Sequence, residues 1–254
     1  MENIRALLGR LKLRGMEQVL DAEMERAQRS GCAVHEVIYR LLAEEDRYRE
    51  ERSLDYRIQQ AKIPWDWTLR TFPFDCKPDL NRSQIQTLAG LSFVERAQNI
   101  VFIGEPGTGK TGLAIGLLRQ AILSGYRCRF FKAQDLLDSL YASLADRSTQ
   151  KLINTLSRYA VLLIDELGYL TLKPEQVNAF FRLMDERYGK TSTLITTNLE
   201  YSDWYSLFQR KSLVDALLNR LQHHCVTIRV GGPSLRVPEE QEPEPPHPIT
   251  SVFG

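Results

Sequence analysis

Short apolar stretches alternate with helical patterns over the second half of the chain. Five of these stretches have the length and the residue types of buried strands: residues 100–103, 127–132, 160–164, 193–197 and 226–230. Strands that alternate with helices are typical of a parallel sheet with helices on both faces. The pattern therefore predicts an α/β domain, built on a parallel five-stranded sheet, over residues 99–237.

The first 63 residues have a different pattern. Apolar residues recur at helical spacing over residues 4–27 and 34–63, where they are interleaved with many charged residues. Pro64 disfavours helix at the residue before it, so the helical region is predicted to end at Ile63. We predict a small all-helical N-terminal domain over residues 1–63, which would bind a partner or DNA.

Residues 64–98 join the two predicted domains. Proline and aromatic residues are frequent over residues 64–81, and this composition predicts an ordered strap whose aromatic side chains pack on the main domain. Stacking of these rings on nucleic acid is the alternative interpretation. Residues 238–254 are rich in proline and glutamate, so we predict a disordered tail there.

Composition and charge narrow the class of protein. The chain has 254 residues, and its 33 basic and 32 acidic side chains give a formal charge of +1, which excludes a wholly basic nucleic-acid coat protein. Residues 100–237 nevertheless carry 17 basic and 12 acidic side chains. Within this excess, Arg147, Lys151 and Arg158 are candidates for contacts with DNA phosphates, and a solvated helix face is the other interpretation.

The sequence also favours a cytoplasmic location. No apolar run approaches the roughly 20 residues that a membrane helix requires. The N-terminus lacks the block order of a signal peptide. The four cysteines stand far apart along the chain, a spacing that fits neither a zinc site nor a disulfide framework, so we expect reduced and mostly buried thiols.

A glycine-rich loop is the strongest chemical signal in the sequence. Residues 104–111 match the pattern G-x-x-x-x-G-K-[ST] between a predicted strand and a predicted helix. The loop consists of Gly104, Glu105, Pro106, Gly107, Thr108, Gly109, Lys110 and Thr111. Its backbone N–H groups can converge on a triphosphate, while Lys110 supplies charge for the β- and γ-phosphates and Thr111 offers a hydroxyl to Mg²⁺. The loop therefore predicts a nucleoside triphosphate and Mg²⁺ as ligands.

Polar residues at the ends of later strands would complete such a site. Asp165 and Glu166 end an apolar strand, where Asp165 would hold Mg²⁺ and Glu166 would polarise the water that attacks the γ-phosphate. Asn198 follows the next strand and could position water or sense the γ-phosphate, although asparagine there is also typical of a turn. Arg187 and Arg220 could each supply positive charge to the transition state or lie as solvated cations near helix ends, and the residues alone do not choose between them.

These motifs and their flanking segments resemble the AAA+ family and, more closely, the IstB-type helper ATPases of bacterial insertion sequences, which are relatives of the DnaC helicase loaders. The segments that carry the resemblance are residues 11–16, 61–64, 91–99, 104–111, 165–166, 196–198 and 218–224. The resemblance extends to Arg236 and so covers nearly the whole chain. Two departures are Glu105, where the family more often has proline, and Gly112, which replaces a larger residue often found after the loop.

The resemblance implies roles that the residues alone leave open. Asn198 becomes the sensor of the γ-phosphate. Arg220, in preference to Arg187, matches the arginine finger that these proteins insert into the site of a neighbouring subunit. Arg236 resembles the second sensor, which contacts the bound nucleotide. The resemblance also implies an AAA+ core without the helical lid that many AAA+ proteins have, because few residues follow the last predicted strand.

The biological role that the resemblance implies is help in DNA transposition. It predicts an ATPase that uses ATP and Mg²⁺, assembles as a homo-oligomer on duplex target DNA, and recruits or stimulates the transposase of the same element. A DnaC-like loader of a replicative helicase is the nearest alternative. A small-molecule kinase and a nucleotide switch without hydrolysis are less favoured, because adjacent acids at residues 165–166 suit the activation of water.

Overall fold

A five-stranded sheet forms the centre of the larger domain in the computed structural model, which describes residues 2–168 and 170–235. The strands are β1 (Asn99–Ile103), β2 (Cys128–Lys132), β3 (Val161–Asp165), β4 (Ser192–Thr197) and β5 (Cys225–Arg229). Their order across the sheet is β2-β3-β4-β1-β5, and every neighbouring pair is parallel. All five lie within one residue of the predicted ranges, so the predicted parallel sheet is confirmed.

Helices cover both faces of this sheet and form the N-terminal region. In the described part of the chain they are α1 (Glu2–Arg10), α2 (Arg14–Ser30), α3 (Val34–Ala61), α4 (Arg82–Ala89), α5 (Ser92–Glu95), α6 (Lys110–Leu123), α7 (Ala133–Ala142), α8 (Thr149–Leu156), α9 (Pro174–Arg187), α10 (Trp204–Phe208) and α11 (Lys211–His224). A 3₁₀ turn occupies Phe74–Cys76. Up to Leu235, where the description ends, no helix follows β5. The predicted tail and Arg236 lie outside the described residues.

Two apolar layers sandwich the sheet because successive side chains of a strand point to opposite faces. Ile100 and Phe102 of β1 belong to one layer, which also contains apolar residues of α4, α5 and α6. Val101 and Ile103 belong to the other layer, formed with α7, α8, α9, α10 and α11. The side chains of all four β1 residues are almost fully buried, which accounts for the unbroken apolar run in the sequence.

The N-terminal helices form a smaller core of their own. Its buried residues are Leu8, Leu20, Val37 and Leu41. The continuous helical pattern over residues 4–27 is in fact two helices, because the chain turns between α1 and α2. Lys12 adopts a left-handed conformation with φ of 57°, and the N–H of Leu13 donates to the Leu8 carbonyl at 2.9 Å. This turn folds α1 back so that Leu8 reaches the core.

A buried carboxylate joins α2 to α3. Glu45 of α3 is 5% exposed and accepts hydrogen bonds from the N–H groups of Gly15 at 2.8 Å and Met16 at 3.2 Å, in the first turn of α2. A carboxylate at this position satisfies N–H groups that the helix itself leaves unpaired and interacts favourably with the helix dipole. Tyr48 packs so closely on Gly15 that a Cβ there would lie 2.7 Å from the Tyr48 Cβ.

The strap packs on α6, as its composition predicts. Trp67, Leu69 and Phe72 lie against the backbone of Gly112, Gly116 and Gly109, respectively. A buried lysine, Lys77, donates from Nζ to the carbonyls of Gly231 at 3.0 Å and of Pro233, and so holds the segment after β5.

Two further sequence expectations concern membranes and cysteines. Within residues 2–168 and 170–235, none of the helices has both the length and the apolar character required to cross a bilayer. All four cysteines are free thiols, as predicted. The expectation that they are mostly buried is wrong, since Cys128 is buried whereas Cys76 is exposed and the other two are intermediate. Burial raises the pKa of Cys128 to about 12.

Candidate active site

The glycine-rich loop and the ends of β3 and β4 surround one cavity of about 750 Å³. In open parallel sheets, ligands bind outside the carboxyl ends of the strands, because the connecting loops there leave a crevice. The cavity is lined by residues of the loop, by Glu166, and by Thr196, Thr197 and Asn198. The structure therefore brings together the groups that the sequence predicted from two separate motifs.

The loop has the backbone of an anion-binding turn. Gly107 and Gly109 have φ of 81° and 98°, a region that a residue with a side chain rarely adopts. Lys110 begins α6, so the positive end of the helix dipole faces the cavity. The Nζ atom of Lys110 donates to the Glu105 carbonyl at 2.7 Å, and the Glu105 side chain is exposed to solvent. Glu105 thus contributes its backbone carbonyl to the loop, while its side chain faces solvent.

Asp165 lies at the bottom of the site and is 0% exposed. Its Oδ1 atom accepts hydrogen bonds from the hydroxyls of Thr111 at 2.8 Å and Thr196 at 2.6 Å. Its Oδ2 atom is buried and has no hydrogen-bond partner in the described part of the chain. Burial raises the pKa of Asp165, and the two hydroxyl hydrogen bonds oppose that rise. A buried carboxylate with a free oxygen beside a threonine hydroxyl fits the oxygen ligands that Mg²⁺ prefers.

Glu166 and Asn198 present their polar groups at the rim of the cavity. Glu166 has a left-handed backbone with φ of 59° and an exposed side chain, and its N–H donates to the Thr196 hydroxyl at 2.9 Å. Left-handed backbone at a residue with a side chain is uncommon and is often found at functional sites. The Oδ1 atom of Asn198 occupies the space that a Cβ at Gly168 would need. Glycine at position 168 therefore allows Asn198 to approach the chain beyond β3.

Thr196 is a site residue whose role is visible only in the structure. Its hydroxyl donates to Asp165 and accepts from the Glu166 backbone, so one side chain of β4 orients both acids. A hydroxyl residue near the carboxyl end of a fully buried strand was the signal available for it. Lys132, at the end of β2, also lines the cavity and is paired in register with Asp165.

Comparison with known proteins identifies the family. A family model described as IstB-like ATP binding protein matches residues 6–243. The chain belongs to this IstB-like family. A protein named as the ATP-binding protein of insertion sequence IS21, from Pseudomonas aeruginosa, is 35% identical over 95% of this chain and 91% of its own length. The corresponding protein of insertion sequence IS5376, from Geobacillus stearothermophilus, is 33% identical over 94% of this chain and 96% of its own length.

Solved structures support the same fold. A crystal structure of the DnaC helicase loader matches with a TM-score of 0.51 and 25% identity, over 59% of this chain and 87% of the loader chain. A crystal structure of DnaI matches with a TM-score of 0.54 and 17% identity, over 65% of this chain and 91% of its own. The AAA+ fold predicted from the motifs is confirmed for this IstB-like protein.

The two candidate arginines of the IstB-like protein have different surroundings. Arg187 is 1% exposed, and its guanidinium donates to the Thr193 hydroxyl at 3.0 Å and to the carbonyls of Leu156 at 2.8 Å and Tyr159 at 3.0 Å. Burial lowers the pKa of Arg187. Arg187 is therefore neither a catalytic cation nor a solvated one, since it ties α9 to its neighbours inside the domain.

Arg220 lies on the surface formed by α9 and α11. It forms an ion pair with Asp185 at 2.7 Å, and its guanidinium carbon lies 5.7 Å from the centre of the Tyr188 ring. It does not line the cavity that the described residues of its own chain form. This placement is compatible with a group that acts on another molecule.

Proposed function

We propose that this chain is a Mg²⁺-dependent ATPase that assembles on duplex DNA and assists the transposase of its insertion sequence. The observation that carries the proposal is that Lys110, Thr111 and Glu166 line one cavity, while the buried Asp165 accepts a hydrogen bond from the Thr111 hydroxyl. A triphosphate site with a buried metal-binding carboxylate and an adjacent exposed one supports hydrolysis, because the two acids have separate tasks.

Each residue of the cavity has a proposed role. The loop N–H groups and Lys110 bind the phosphates, and Thr111 and Asp165 would hold Mg²⁺, which neutralises charge on the phosphate oxygens when bound. Glu166 accepts a proton from the attacking water, because its carboxylate is exposed at the rim and its backbone is fixed by Thr196. Asn198 orients that water or the γ-phosphate.

Among the described residues, the cations that line the cavity are the lysines Lys110 and Lys132, so we propose that a second copy of the chain supplies an arginine, Arg220. An arginine delivered by a neighbouring protein is an established way to stabilise the charge of a phosphoryl-transfer transition state. Hydrolysis would then depend on assembly. The proposed role of Arg236 as second sensor rests on the family resemblance.

DNA and the transposase are the proposed partners. Relatives of this chain are named as ATP-binding proteins of insertion sequences, which supports a role beside a transposase. Arg147, Lys151 and Arg158 are exposed and close in sequence around α8, so they are our candidates for contacts with DNA phosphates. The N-terminal helical domain is the candidate surface for the transposase.

Turnover and assembly test the proposal together. ATP hydrolysis by the full chain is measured with and without duplex DNA, alongside sizing of the protein with ATP and Mg²⁺. We expect faster hydrolysis on DNA, and an oligomer that forms when ATP is present. Hydrolysis that is indifferent to DNA, with a monomer under all conditions, would contradict the proposal.

A DnaC-like helicase loader is the second candidate function. The match to the DnaC helicase loader, at 25% identity over 87% of that chain, favours it. Pull-down with the full chain separates the two functions. Retention of the transposase of the same element supports the first function, and retention of the replicative helicase instead supports the second.

A further inference from the structure

The indole ring of Trp67 lies flat on the first turn of α6. A Cβ added at Gly112 would lie 3.2 Å from Cδ2 of Trp67, 3.4 Å from Cε3 and 3.5 Å from Cε2. Cδ2 is bonded to both Cε3 and Cε2, and the three distances from the added Cβ differ by only 0.3 Å. An atom that is almost equally far from three bonded ring atoms lies above the ring face and not beside its edge. One face of the indole therefore covers Gly112, two residues after Lys110.

The rest of the Trp67 ring is available to the cavity. Trp67 is half-buried and lines the cavity together with Gly109, Lys110 and Leu235. Phe72 meets the ring at 6.3 Å between centroids and at an angle of 56°, so it abuts the indole without being stacked on it. Because one face is covered by α6, the opposite face is the apolar surface that a ligand in the cavity can reach.

Contacts on both sides of Trp67 hold the strap in place. Leu69 packs on Gly116 so closely that a Cβ there would lie 2.8 Å from Leu69 Cδ2. Arg119 of α6 forms an ion pair with Asp66 and donates to the Trp65 carbonyl at 3.3 Å. The ring is therefore fixed before a ligand arrives, which lowers the entropy cost of binding to it.

We propose that Trp67 is the platform on which the base of the bound nucleotide stacks. The inference rests on the proposed function, since it requires a nucleoside triphosphate whose phosphates occupy the loop. The loop fixes the phosphate end of the ligand at the start of α6, and the base must extend from there along the cavity wall. Trp67 supplies a preformed flat aromatic surface next to that end, and aromatic rings bind bases through their faces.

Trp65 provides the matched control within the same strap. It also lines the cavity, but its ring meets Phe130 edge-on, at 6.2 Å between centroids and an angle of 86°. The sequence interval between the two tryptophans is two residues, so both variants alter the same segment. A difference in ATP affinity between the Trp67 and Trp65 variants would therefore arise from the position of the ring and not from a general loosening of the strap.

Calorimetric titration of the full chain with Mg²⁺-ATP and with Mg²⁺-tripolyphosphate tests the inference. The inorganic ligand keeps the phosphates and lacks the base. We expect Trp67→Ala to weaken ATP binding by about 5- to 100-fold, the range for loss of one stacked base, and to change tripolyphosphate binding less than about twofold. Trp67→Phe should weaken ATP binding less than Trp67→Ala does. Trp65→Ala should also weaken ATP binding by a smaller factor than Trp67→Ala does.

The possible results separate this inference from the proposed function. Equal weakening of both ligands by Trp67→Ala would overturn it, because Trp67 would then act by packing the phosphate loop. Unchanged ATP binding would overturn it as well. Failure of the unaltered chain to bind either ligand would contradict the proposed function itself.

Tryptophan emission provides a second measurement that does not depend on the alanine variant being folded. ATP should change the emission of the unaltered chain and of Trp65→Phe, and this change should be absent in Trp67→Phe. Tripolyphosphate should leave the emission of all three unchanged. The same emission change for ATP and tripolyphosphate in the unaltered chain, or its persistence in Trp67→Phe, would count against a base on this ring.

Discussion

The cavity and the α9–α11 surface both carry charged groups with proposed roles in hydrolysis, but they are built differently. Beneath the cavity, Asp165 is fully buried and held by the hydroxyls of Thr111 and Thr196, which line the cavity. On the α9–α11 surface, Arg220 is held by an ion pair whose two side chains are 37% and 60% exposed. The groups proposed to bind phosphate and metal are thus fixed within one chain, whereas the arginine lies where another molecule can reach it. In the function that we propose, this difference is the physical basis for control of hydrolysis by assembly.

Removal of the surface arginine should have the largest effect on turnover. Arg220→Ala should slow ATP hydrolysis by about 10³-fold or more, because the transition-state charge loses its partner, while ATP affinity stays within about twofold. Steady-state turnover and calorimetric titration measure the two quantities. Arg29→Ala, which removes an ion-paired surface arginine of α2, is the control and should leave both unchanged.

Mixing of variant chains shows whether Arg220 acts between chains. A chain carrying Arg220→Ala has an intact cavity, and a chain carrying Glu166→Gln has an intact arginine. An equal mixture should hydrolyse ATP faster than either variant alone. If the mixture is no more active than its components, Arg220 acts within its own chain or on folding. That result would contradict the proposal that Arg220 on the α9–α11 surface acts on the cavity of another chain.

Neutralisation of the Glu166 carboxylate should have the next largest effect on the rate of ATP hydrolysis. Glu166→Gln should slow hydrolysis by about 10²- to 10⁴-fold, since the water loses its general base, and should leave ATP bound. The variant should therefore accumulate the ATP-bound assembly on a sizing column. Lys110→Ala is the contrasting variant, because it should weaken ATP binding itself by about 30-fold or more. Identical behaviour of the two variants would contradict the separate roles given to Lys110 and Glu166.

The sequence predicts the centre of this molecule better than its periphery. Runs such as residues 161–164 are apolar because both faces of the strand are buried, so composition alone locates the sheet. The phosphate loop is predicted equally well, since its function depends on backbone geometry that a few local residues determine. The convergence of the loop with Asp165 follows from the parallel sheet, which brings the carboxyl ends of its strands to one edge.

Features that depend on distant contacts were not predictable in the same way. The helices α4 and α5 lie in what the composition describes as a linker, and they are short enough to require tertiary packing, such as that of the fully buried Phe93. The turn at Lys12 interrupts an amphipathic pattern that continues through it, because the pattern does not encode where a helix folds back. The packing of Trp67 on Gly112 brings together residues that are 45 positions apart, so it is visible only in the three-dimensional structure.

Removal of the buried arginine should affect folding instead of catalysis. Arg187→Ala should lower the free energy of unfolding by about 3 kcal/mol or more, since it leaves buried carbonyls unpaired and opens a cavity. Urea denaturation measures this change. Arg220→Ala should cost less than about 1 kcal/mol in the same experiment, because its ion pair is exposed to solvent. Equal destabilisation by the two variants would mean that Arg220 is structural.

Loss of the ion pair between Arg220 and Asp185 should have the smallest effect on the rate of hydrolysis. Asp185→Asn keeps the size of the side chain and removes its charge, so the guanidinium would be held by Tyr188 alone. We expect hydrolysis to fall about twofold to fivefold in the assembled protein, in line with the small energy of a solvent-exposed ion pair. The effect should follow the chain that donates the arginine, which is the Glu166→Gln chain in a mixture of Glu166→Gln and Arg220→Ala chains. Adding Asp185→Asn to the Glu166→Gln chain should slow hydrolysis by the mixture. Adding Asp185→Asn to the Arg220→Ala chain should leave hydrolysis by the mixture unchanged. An effect that follows the chain with the intact cavity would show that Asp185 acts on its own nucleotide site and not on the orientation of Arg220.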